Sequence, residues 1–270
     1  MNPPDKPYAL DLDPDAWRDL FVAWGEKPFR AKQVYRQLHE RLAAGPEEMT
    51  DLSKALRVRL AEEVRWSGLT LDRVLTCDNG CTRKALFQLE DGSPIETVLM
   101  LYEDRATVCV SSQSGCPMRC TFCATGKLGF LHDLSPGEIV EQVYWAERTL
   151  RGMEEERTRV GYRGGDRLLT NIVFMGMGEP FNNYDNWWAA VERLHEPDGY
   201  NMGARGFTVS TVGLVPGILQ LADEALQVNL AISLHAPNDE IRSRTMPVNR
   251  RYPIADLIDA VRTYTDKTHR

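Results

Sequence analysis

From about residue 105 onwards, strand-like runs alternate with helical ones, and this alternation constrains the fold more than any other feature of the chain. The strand-like runs are 106–110, 172–175, 207–210 and 228–233. The predicted helices lie near 136–150, 185–195, 216–226, 238–245 and 253–265. Ser135 followed by Glu138 is a capping-box signature that opens the first of these helices. Alternating strands and helices imply parallel strands with right-handed crossovers, so we predict the α/β class.

Two further segments precede this alternation. Residues 1–68 predict a small helical domain, in which Gly45 and Gly68 end the two main helices. Its apolar positions at helical spacing are Ala31, Val34, Tyr35, Leu38 and Leu42, then Leu52, Leu56, Leu60 and Val64. Residues 69–101 predict a β-ribbon extension with turns at 78–80 and 91–92. Residues 102–270 form the predicted core, in which the charged, Gly-rich segment 152–168 is interpreted as a surface insertion.

The charge of the chain does not by itself indicate a nucleic-acid-binding protein. The net charge is −7, whereas a basic surface normally supplies much of the affinity for nucleic acid. Basic residues nevertheless gather locally, at Arg30, Lys32 and Arg36, at Arg57, Arg59 and Arg65, at Arg83 and Lys84, and at Arg242, Arg244, Arg250 and Arg251. From charge alone, solvated helix faces are favoured over RNA contacts, and composition neither supports nor excludes RNA.

The sequence carries no membrane or secretion signal that we recognise. No apolar run approaches the roughly 20 residues that span a bilayer. The first residues lack a basic flank followed by an apolar stretch. We therefore expect a cytoplasmic protein, in which the close spacing of three of the six cysteines indicates metal binding rather than a disulfide scaffold.

Three of these cysteines lie in one short loop directly after the first strand of the core. Cys116, Cys120 and Cys123 have C-x3-C-x2-C spacing. A 4Fe–4S cubane usually takes four thiolates, so three leave one iron open for a cofactor. For such a cluster the cofactor is S-adenosylmethionine, whose reductive cleavage yields an adenosyl radical. The alternative is a zinc site or reduced buried thiols, for which His132 is only a loose candidate as fourth ligand.

Polar or glycine residues also follow the other core strands. Gly178 and Glu179 end the second strand, where glycine lets the backbone approach a ligand and a carboxylate can accept hydrogen bonds from an ammonium group. Ser210 ends the third strand, and the run Ser233, Leu234, His235 ends the fourth. Each residue alone is weak, and His235 alone is better explained as a core histidine. Ligand groups in parallel βα folds nevertheless collect at the carboxyl ends of strands, so we predict one shared site.

Two residues remain undecided from the sequence pattern. Cys109 lies within the first core strand, where a buried cysteine is usually inert packing. Glu96 lies in a strand-like run, and its plain explanation is an exposed ribbon face. Cys77 and Cys81 flank an Asn-Gly turn, and no role is assigned to them.

The motifs together closely resemble one known family. The segments 106–116 and 231–239, the cysteine triplet and the run 174–180 (Phe-Met-Gly-Met-Gly-Glu-Pro) look like the RlmN branch of the RlmN/Cfr family of radical S-adenosylmethionine RNA methyltransferases. Segments 28–34 and 49–57 resemble the accessory domain of that family, so the likeness runs from about residue 26 to the end. It implies a partial parallel (β/α) barrel of radical SAM type, with 1–68 as a helical, RNA-binding accessory domain.

The resemblance also implies an activity and residue roles. The expected reaction is methylation of carbon 2 of adenosine in 23S rRNA and in some tRNAs, in a cytoplasmic, monomeric enzyme reduced by a flavodoxin-like or ferredoxin-like donor. Matching positions imply that Cys116, Cys120 and Cys123 hold the cluster. The residues implied to bind S-adenosylmethionine are Gly178, Glu179, Ser210, Ser233, Leu234 and His235. Cys109 is implied to resolve a covalent RNA–protein intermediate, and Glu96 to accept a proton.

The chain departs from the family pattern in its C-terminal part. The family's methyl-carrying cysteine, a later cofactor-contacting asparagine and two of six expected strands lie beyond Arg270. Ser210 and Gly213 also enclose Thr-Val, where the family usually has Thr-Ser. We therefore expect a radical SAM core that is incomplete for turnover. The alternatives are a radical SAM enzyme with another substrate, or a non-catalytic RNA-binding relative that keeps the cluster.

Overall fold

Nine strands and ten α-helices form the chain in a computed structural model that describes residues 6–269. The strands are β1 (Thr70–Cys77), β2 (Thr82–Gln88), β3 (Pro94–Leu101), β4 (Ala106–Cys109), β5 (Gln113–Gly115), β6 (Phe130–Asp133), β7 (Asn171–Phe174), β8 (Phe207–Thr211) and β9 (Asn229–Ile232). The helices are α1 (Pro14–Ala23), α2 (Phe29–His39), α3 (Lys54–Glu63), α4 (Ala124–Leu128), α5 (Pro136–Arg151), α6 (Glu154–Val160), α7 (Tyr184–His195), α8 (Val215–Leu221), α9 (Asp239–Thr245) and α10 (Ile254–Thr268). Residues 1–5, which belong to the predicted accessory domain, and Arg270 lie outside the described part.

Seven strands make one mixed sheet in the order β1-β2-β3-β4-β7-β8-β9. The ribbon β1–β3 is antiparallel and continues directly into β4, whereas β4, β7, β8 and β9 pair in parallel. The four parallel strands coincide with the four predicted core strands, so the α/β class is confirmed. The predicted capping box is also present at the start of α5, between Ser135 and Glu138.

The two faces of this sheet differ, because successive side chains along a strand point to opposite faces. On one face, Phe87 packs against Trp145 of α5, and Phe174 against Trp187 of α7. The other face is half-open and carries Glu96, Cys109, Val173, Ser210 and their neighbours. Helices therefore cover only one side of the parallel strands within residues 6–269.

The helical N-terminal region packs onto the sheet helices through buried polar contacts. His39 Nδ1 lies 2.6 Å from the hydroxyl of Tyr144 on α5, and the Gly137 amide donates to Asp11 at 2.7 Å. Helix α2 ends at His39, so the prediction that it reaches Leu42 is wrong. Leu42 adopts φ 61°, and its carbonyl accepts from Arg148, which turns the chain before Gly45.

Segment 152–168 is not the surface insertion that its composition suggests. It contains α6, and Met153, Tyr162 and Leu168 are buried. The amide of Leu168 donates to the buried carboxylate of Glu147 at 2.9 Å, which fixes this segment against α5. The charged residues of the segment occupy only its outer face, so the prediction was wrong for its apolar residues. No helix within residues 6–269 combines the length and apolarity that crossing a bilayer requires.

Candidate active site

A cavity of about 300 Å3 lies at the carboxyl ends of the parallel strands. This volume is at the lower end of the range for small-molecule sites. The predicted residues that line it are Cys116, Cys120, Cys123, Gly178, Glu179, Ser210, Ser233 and His235. Each of the four core strands therefore contributes to a single cavity, through its end or through the loop that follows it, as the sequence predicts.

The cysteine loop is held on both sides by backbone hydrogen bonds. Cys116 donates its amide to the carbonyl of Gly129 at 2.9 Å, through the β5–β6 hairpin. Thr121 donates to the carbonyl of Thr245, the last residue of α9, also at 2.9 Å. Burial raises the pKa of the Cys116 thiol to about 11. The metal-free Cys116 thiol is thus protonated at neutral pH, and metal binding releases its proton.

The donor set of this loop suits a cubane better than a single metal ion. A single zinc ion usually takes a fourth cysteine or histidine at paired spacing, whereas this loop offers three thiols. A cubane instead takes each thiolate on a different iron. His132, the candidate fourth zinc ligand, lies 3.6 Å from carboxylate oxygens of Asp91 and Glu138 and does not line the cavity. The three thiols therefore fit the predicted cluster.

The glycine-rich strand end lies directly against the backbone that leads to the cysteines. Gly178 has φ 102°, and a Cβ there would lie 2.6 Å from Cβ and 2.7 Å from the amide nitrogen of Gln113. The amide of Met177 donates to Ser111 Oγ at 2.9 Å, and the amide of Glu179 donates to Gln113 Oε1 at 2.8 Å. The cysteine loop and the glycine-rich turn are therefore one rigid unit, which the sequence did not reveal.

Glu179 is a buried carboxylate whose hydrogen-bond partners are two backbone amides and the side chain of Thr211. It is 2% exposed, and it accepts from the amides of Val212 at 2.8 Å and Phe181 at 3.2 Å. None of the ion pairs found in residues 6–269 includes it. Burial raises the pKa of this carboxyl to about 7, against the opposing effect of these hydrogen bonds. A cationic ligand group in the cavity would stabilise the ionised carboxylate and lower this pKa.

The buried carboxyl makes the stability of the chain depend on pH. Because the pKa rises from 4.5 unfolded to about 7 folded, the folded state binds more protons between these values. The free energy of unfolding therefore falls by about 3 kcal/mol as pH rises through this window. We expect Glu179→Gln to remove this component, measured by urea unfolding at pH 5 and pH 8. Glu62→Gln, at an exposed position on α3, is the control and should leave the wild-type pH dependence intact.

The third and fourth strand ends meet across the cavity. Ser210 Oγ lies 3.3 Å from Ser233 Oγ. His235 adopts φ 53°, a left-handed conformation that is strained for a residue other than glycine, and its ring centroid lies 4.8 Å from that of Phe122. Leu234 does not line the cavity; its carbonyl instead accepts from Arg242 Nε at 3.1 Å.

Glu96 and Cys109 lie outside the cavity, on the half-open face of the sheet. Cys109 pairs with Val98 on the neighbouring antiparallel strand, so Glu96 is its diagonal neighbour on the same face. Glu96 Oε1 accepts from Lys84 Nζ at 2.9 Å, and burial raises the pKa of the Cys109 thiol to about 11. Their implied roles in catalysis stay predictions.

Two residues that organise this site were missed in the sequence. Gln142 of α5 is fully buried and holds the backbone of Ser111 on both sides, accepting from its amide at 2.9 Å and donating to its carbonyl at 3.0 Å. Its position one helical turn after Glu138, among apolar neighbours, was a usable signal. Arg242 belongs to the basic clusters for which solvated helix faces are predicted, but it is 0% exposed, and nothing in the local pattern distinguishes it.

Comparisons with known proteins agree with this geometry. Residues 9–65 match the model of the ribosomal RNA large subunit methyltransferase N-terminal domain, and residues 110–269 match the radical SAM superfamily. A solved radical SAM methyltransferase from Sphaerobacter thermophilus is 47% identical with a TM-score of 0.90, over 98% of this chain and 74% of that one. This match confirms the expected radical SAM fold with its helical N-terminal region.

Curated relatives extend the match along the whole described chain. A probable dual-specificity RNA methyltransferase RlmN of Chloroflexus aurantiacus is 60% identical over 93% of this chain and 65% of its own length. The corresponding protein of Roseiflexus castenholzii is 52% identical over 98% of this chain and 72% of its own length. The chain therefore spans about two thirds to three quarters of the length of these relatives. By these matches, the chain belongs to the RlmN family of radical S-adenosylmethionine RNA methyltransferases.

Proposed function

We propose that this chain carries the cluster- and cofactor-binding core of an RNA methyltransferase that acts on carbon 2 of adenosine in 23S rRNA and tRNA. The observation that carries the proposal is the cavity shared by three thiols of one loop with Gly178 and Glu179. Three thiols without a fourth protein ligand suit a cubane with one open iron. The names of the relatives, dual-specificity RNA methyltransferases, support RNA as the substrate class.

Each residue of the cavity has a proposed task in binding. Cys116, Cys120 and Cys123 would hold the 4Fe–4S cluster, which supplies the electron that cleaves S-adenosylmethionine. The carboxylate of Glu179 would accept hydrogen bonds from the ammonium group of that cofactor. Gly178 has no side chain, so the cofactor can approach the backbone closely there. The residues that complete the proposed cofactor site are Ser210, Ser233 and His235, and Leu234 contributes only as the link between the last two after β9.

Cys109 and Glu96 are the proposed catalytic residues on the half-open face. With a pKa near 11, the Cys109 group is a thiol at neutral pH and needs a proton acceptor before it can attack as a thiolate. Glu96, its diagonal neighbour, is the proposed acceptor, and the ammonium of Lys84 orients its carboxylate. Attack of the Cys109 thiolate on the sulfur of the methyl-carrying cysteine would form a disulfide and break the carbon–sulfur link to the RNA, whose carbon keeps the electron pair and takes up a proton.

The proposed partners are the two RNAs and a reducing donor of flavodoxin or ferredoxin type, met by a monomer in the cytoplasm. The helical domain at 1–68 is the proposed RNA-binding accessory domain. On α2, however, Lys32 pairs with Asp198 and Arg36 with Glu40. RNA phosphates would therefore have to compete with these exposed ion pairs, whose stability is small in water.

Expression of this chain, extended after Arg270 by the C-terminal part of an RlmN relative that supplies the methyl-carrying cysteine, tests the proposal. In a bacterial strain whose 23S rRNA lacks 2-methyladenosine, nucleoside mass spectrometry should detect that product. Cys109→Ala should reduce it to background and leave protein covalently linked to RNA, because the thiol that resolves the link is absent. Cys77→Ala, in the exposed hairpin, should behave as the wild type. A cluster-loaded protein that cleaves S-adenosylmethionine but forms no 2-methyladenosine would indicate another substrate.

A further inference from the structure

Arg242 is a fully buried cation that joins the strand ends around the cavity. Its side chain is 0% exposed and extends from α9 towards the carbonyls of the two loops that follow β8 and β9. Nε donates to the carbonyl of Leu234 at 3.1 Å, and Nη2 donates to the carbonyl of Val212. Ser233 and Val212 line the cavity, so the guanidinium lies directly behind its wall.

The charge of Arg242 has no carboxylate in contact within residues 6–269. Its other hydrogen bonds go from Nη1 to Asn249 Oδ1 at 2.8 Å and from Nη2 to the carbonyl of Ser233 at 3.5 Å. Asn249 is itself buried and donates to Asp239 Oδ1 at 2.9 Å, so an exposed carboxylate is reached only through this amide. A buried charge is expensive unless it is paired, and amide and carbonyl dipoles compensate it only in part. An anion near the guanidinium would complete the compensation.

A group of this region that becomes anionic is the cysteine loop, whose thiols lose their protons when they bind metal. Helix α9 contacts that loop through the hydrogen bond from the Thr121 amide to the carbonyl of Thr245, three residues after Arg242. Burial lowers the pKa of Arg242, whereas Asp239 and Cys120 raise it. Helix α9 therefore carries the buried guanidinium to the back of the cysteine loop, where burial makes charges interact more strongly than in water.

We propose that Arg242 is a positioning residue whose fixed charge stabilises the reduced form of the cluster bound by Cys116, Cys120 and Cys123. This inference rests on the proposed function. Reduction adds one electron from the external donor without a proton, so the reduced cluster carries one more negative charge. A fixed cation behind the loop favours that form, and net local charge is one of the factors that set cluster potentials.

A purely structural role for Arg242 makes a different prediction, because its carbonyl contacts do not depend on a net charge. Arg242→Gln removes the charge, and Arg242→Lys keeps it while losing the planar fork. A charge-swap variant, Asp239→Asn with Asn249→Asp, leaves Arg242 and its carbonyl contacts in place. It moves one negative charge from an exposed position to the partner of Nη1, while the net charge of the chain stays constant.

Anaerobic potentiometric titration of the reconstituted chain, with electron paramagnetic resonance as readout, tests the proposal. We expect Arg242→Gln to lower the equilibrium constant for one-electron reduction at least tenfold, which is about 59 mV towards more negative potential. The charge-swap variant should shift the potential in the same direction. Arg242→Lys should stay within threefold of the wild type. Arg244→Gln, on the exposed face of α9, is the matched control and should not change the potential.

The proposal would be overturned if Arg242→Gln and the charge-swap variant both change the equilibrium constant for one-electron reduction by less than twofold. Equal lowering of the reduction potential in Arg242→Lys and Arg242→Gln would also overturn it, since the geometry of the guanidinium rather than its charge would then set the potential. If Arg242→Gln does not fold, the charge-swap variant decides alone, because it keeps the guanidinium. A wild-type chain that takes up no cluster would instead refute the proposed function, and this inference with it.

Discussion

Replacing Cys120 by alanine is expected to leave the chain without iron. The wild-type chain, reconstituted without oxygen, should be brown and hold about four irons, because three thiolates can hold one cubane. The loop offers no fourth cysteine, and no histidine lines the cavity beside it except His235, whose ring packs on Phe122. With two thiolates left, we expect iron to fall to background and cleavage of S-adenosylmethionine to be lost.

The control for this variant is another cysteine of the same chain. Cys77 is exposed at the end of β1, in the ribbon, and does not line the cavity. Cys77→Ala should keep about four irons per chain and the visible absorbance of the wild type. Zinc in place of iron after reconstitution, or an unchanged iron content in Cys120→Ala, would contradict the assignment of the cluster to this loop.

The strand ends of the core were predictable because their signals are local. Three closely spaced cysteines follow β4 along the chain, and a glycine-rich turn follows β7. Each of these signals is visible within a short stretch of sequence. Parallel pairing then brings them together without further information, since the carboxyl ends of parallel strands share one edge. The cavity lined by Cys116, Glu179 and Ser233 is the direct consequence.

The residues that hold this edge in shape were not predictable, because their partners are distant in sequence. Gln142 contacts Ser111 from a helix 31 residues away, and Arg242 reaches the Val212 carbonyl from 30 residues away. Composition is also a poor guide to burial where a segment has one charged face and one apolar face. Segment 152–168 is charged on its outer face, yet Met153, Tyr162 and Leu168 are buried, and Glu147 on α5 binds the amides of Leu168 and Leu169.

Adding a single methyl group at Gly178 is expected to destabilise the chain and to remove cofactor binding. Its φ of 102° disfavours any L side chain, and a Cβ would collide with Gln113 backbone and Cβ atoms, which cannot move aside as a flexible side chain could. The left-handed conformation costs roughly 1–2 kcal/mol, and overpacking typically another 1–3 kcal/mol. We expect Gly178→Ala to lower the free energy of unfolding by roughly 2–5 kcal/mol, measured by urea denaturation.

Two other glycines separate the causes of this effect. Gly92 has φ 82° in the β2–β3 turn with open space around a Cβ, so Gly92→Ala should show only the conformational cost of about 1–2 kcal/mol. A Cβ at Gly203 also meets nothing within 4 Å, and its φ is −65°, so Gly203→Ala should stay within about 0.5 kcal/mol of the wild type. Binding of S-adenosylmethionine, measured by calorimetry on cluster-loaded protein, should be lost only in Gly178→Ala. Equal destabilisation of Gly178→Ala and Gly92→Ala would mean that the turn at 176–178 can move away from Gln113, and that the rigid unit behind the cavity does not exist.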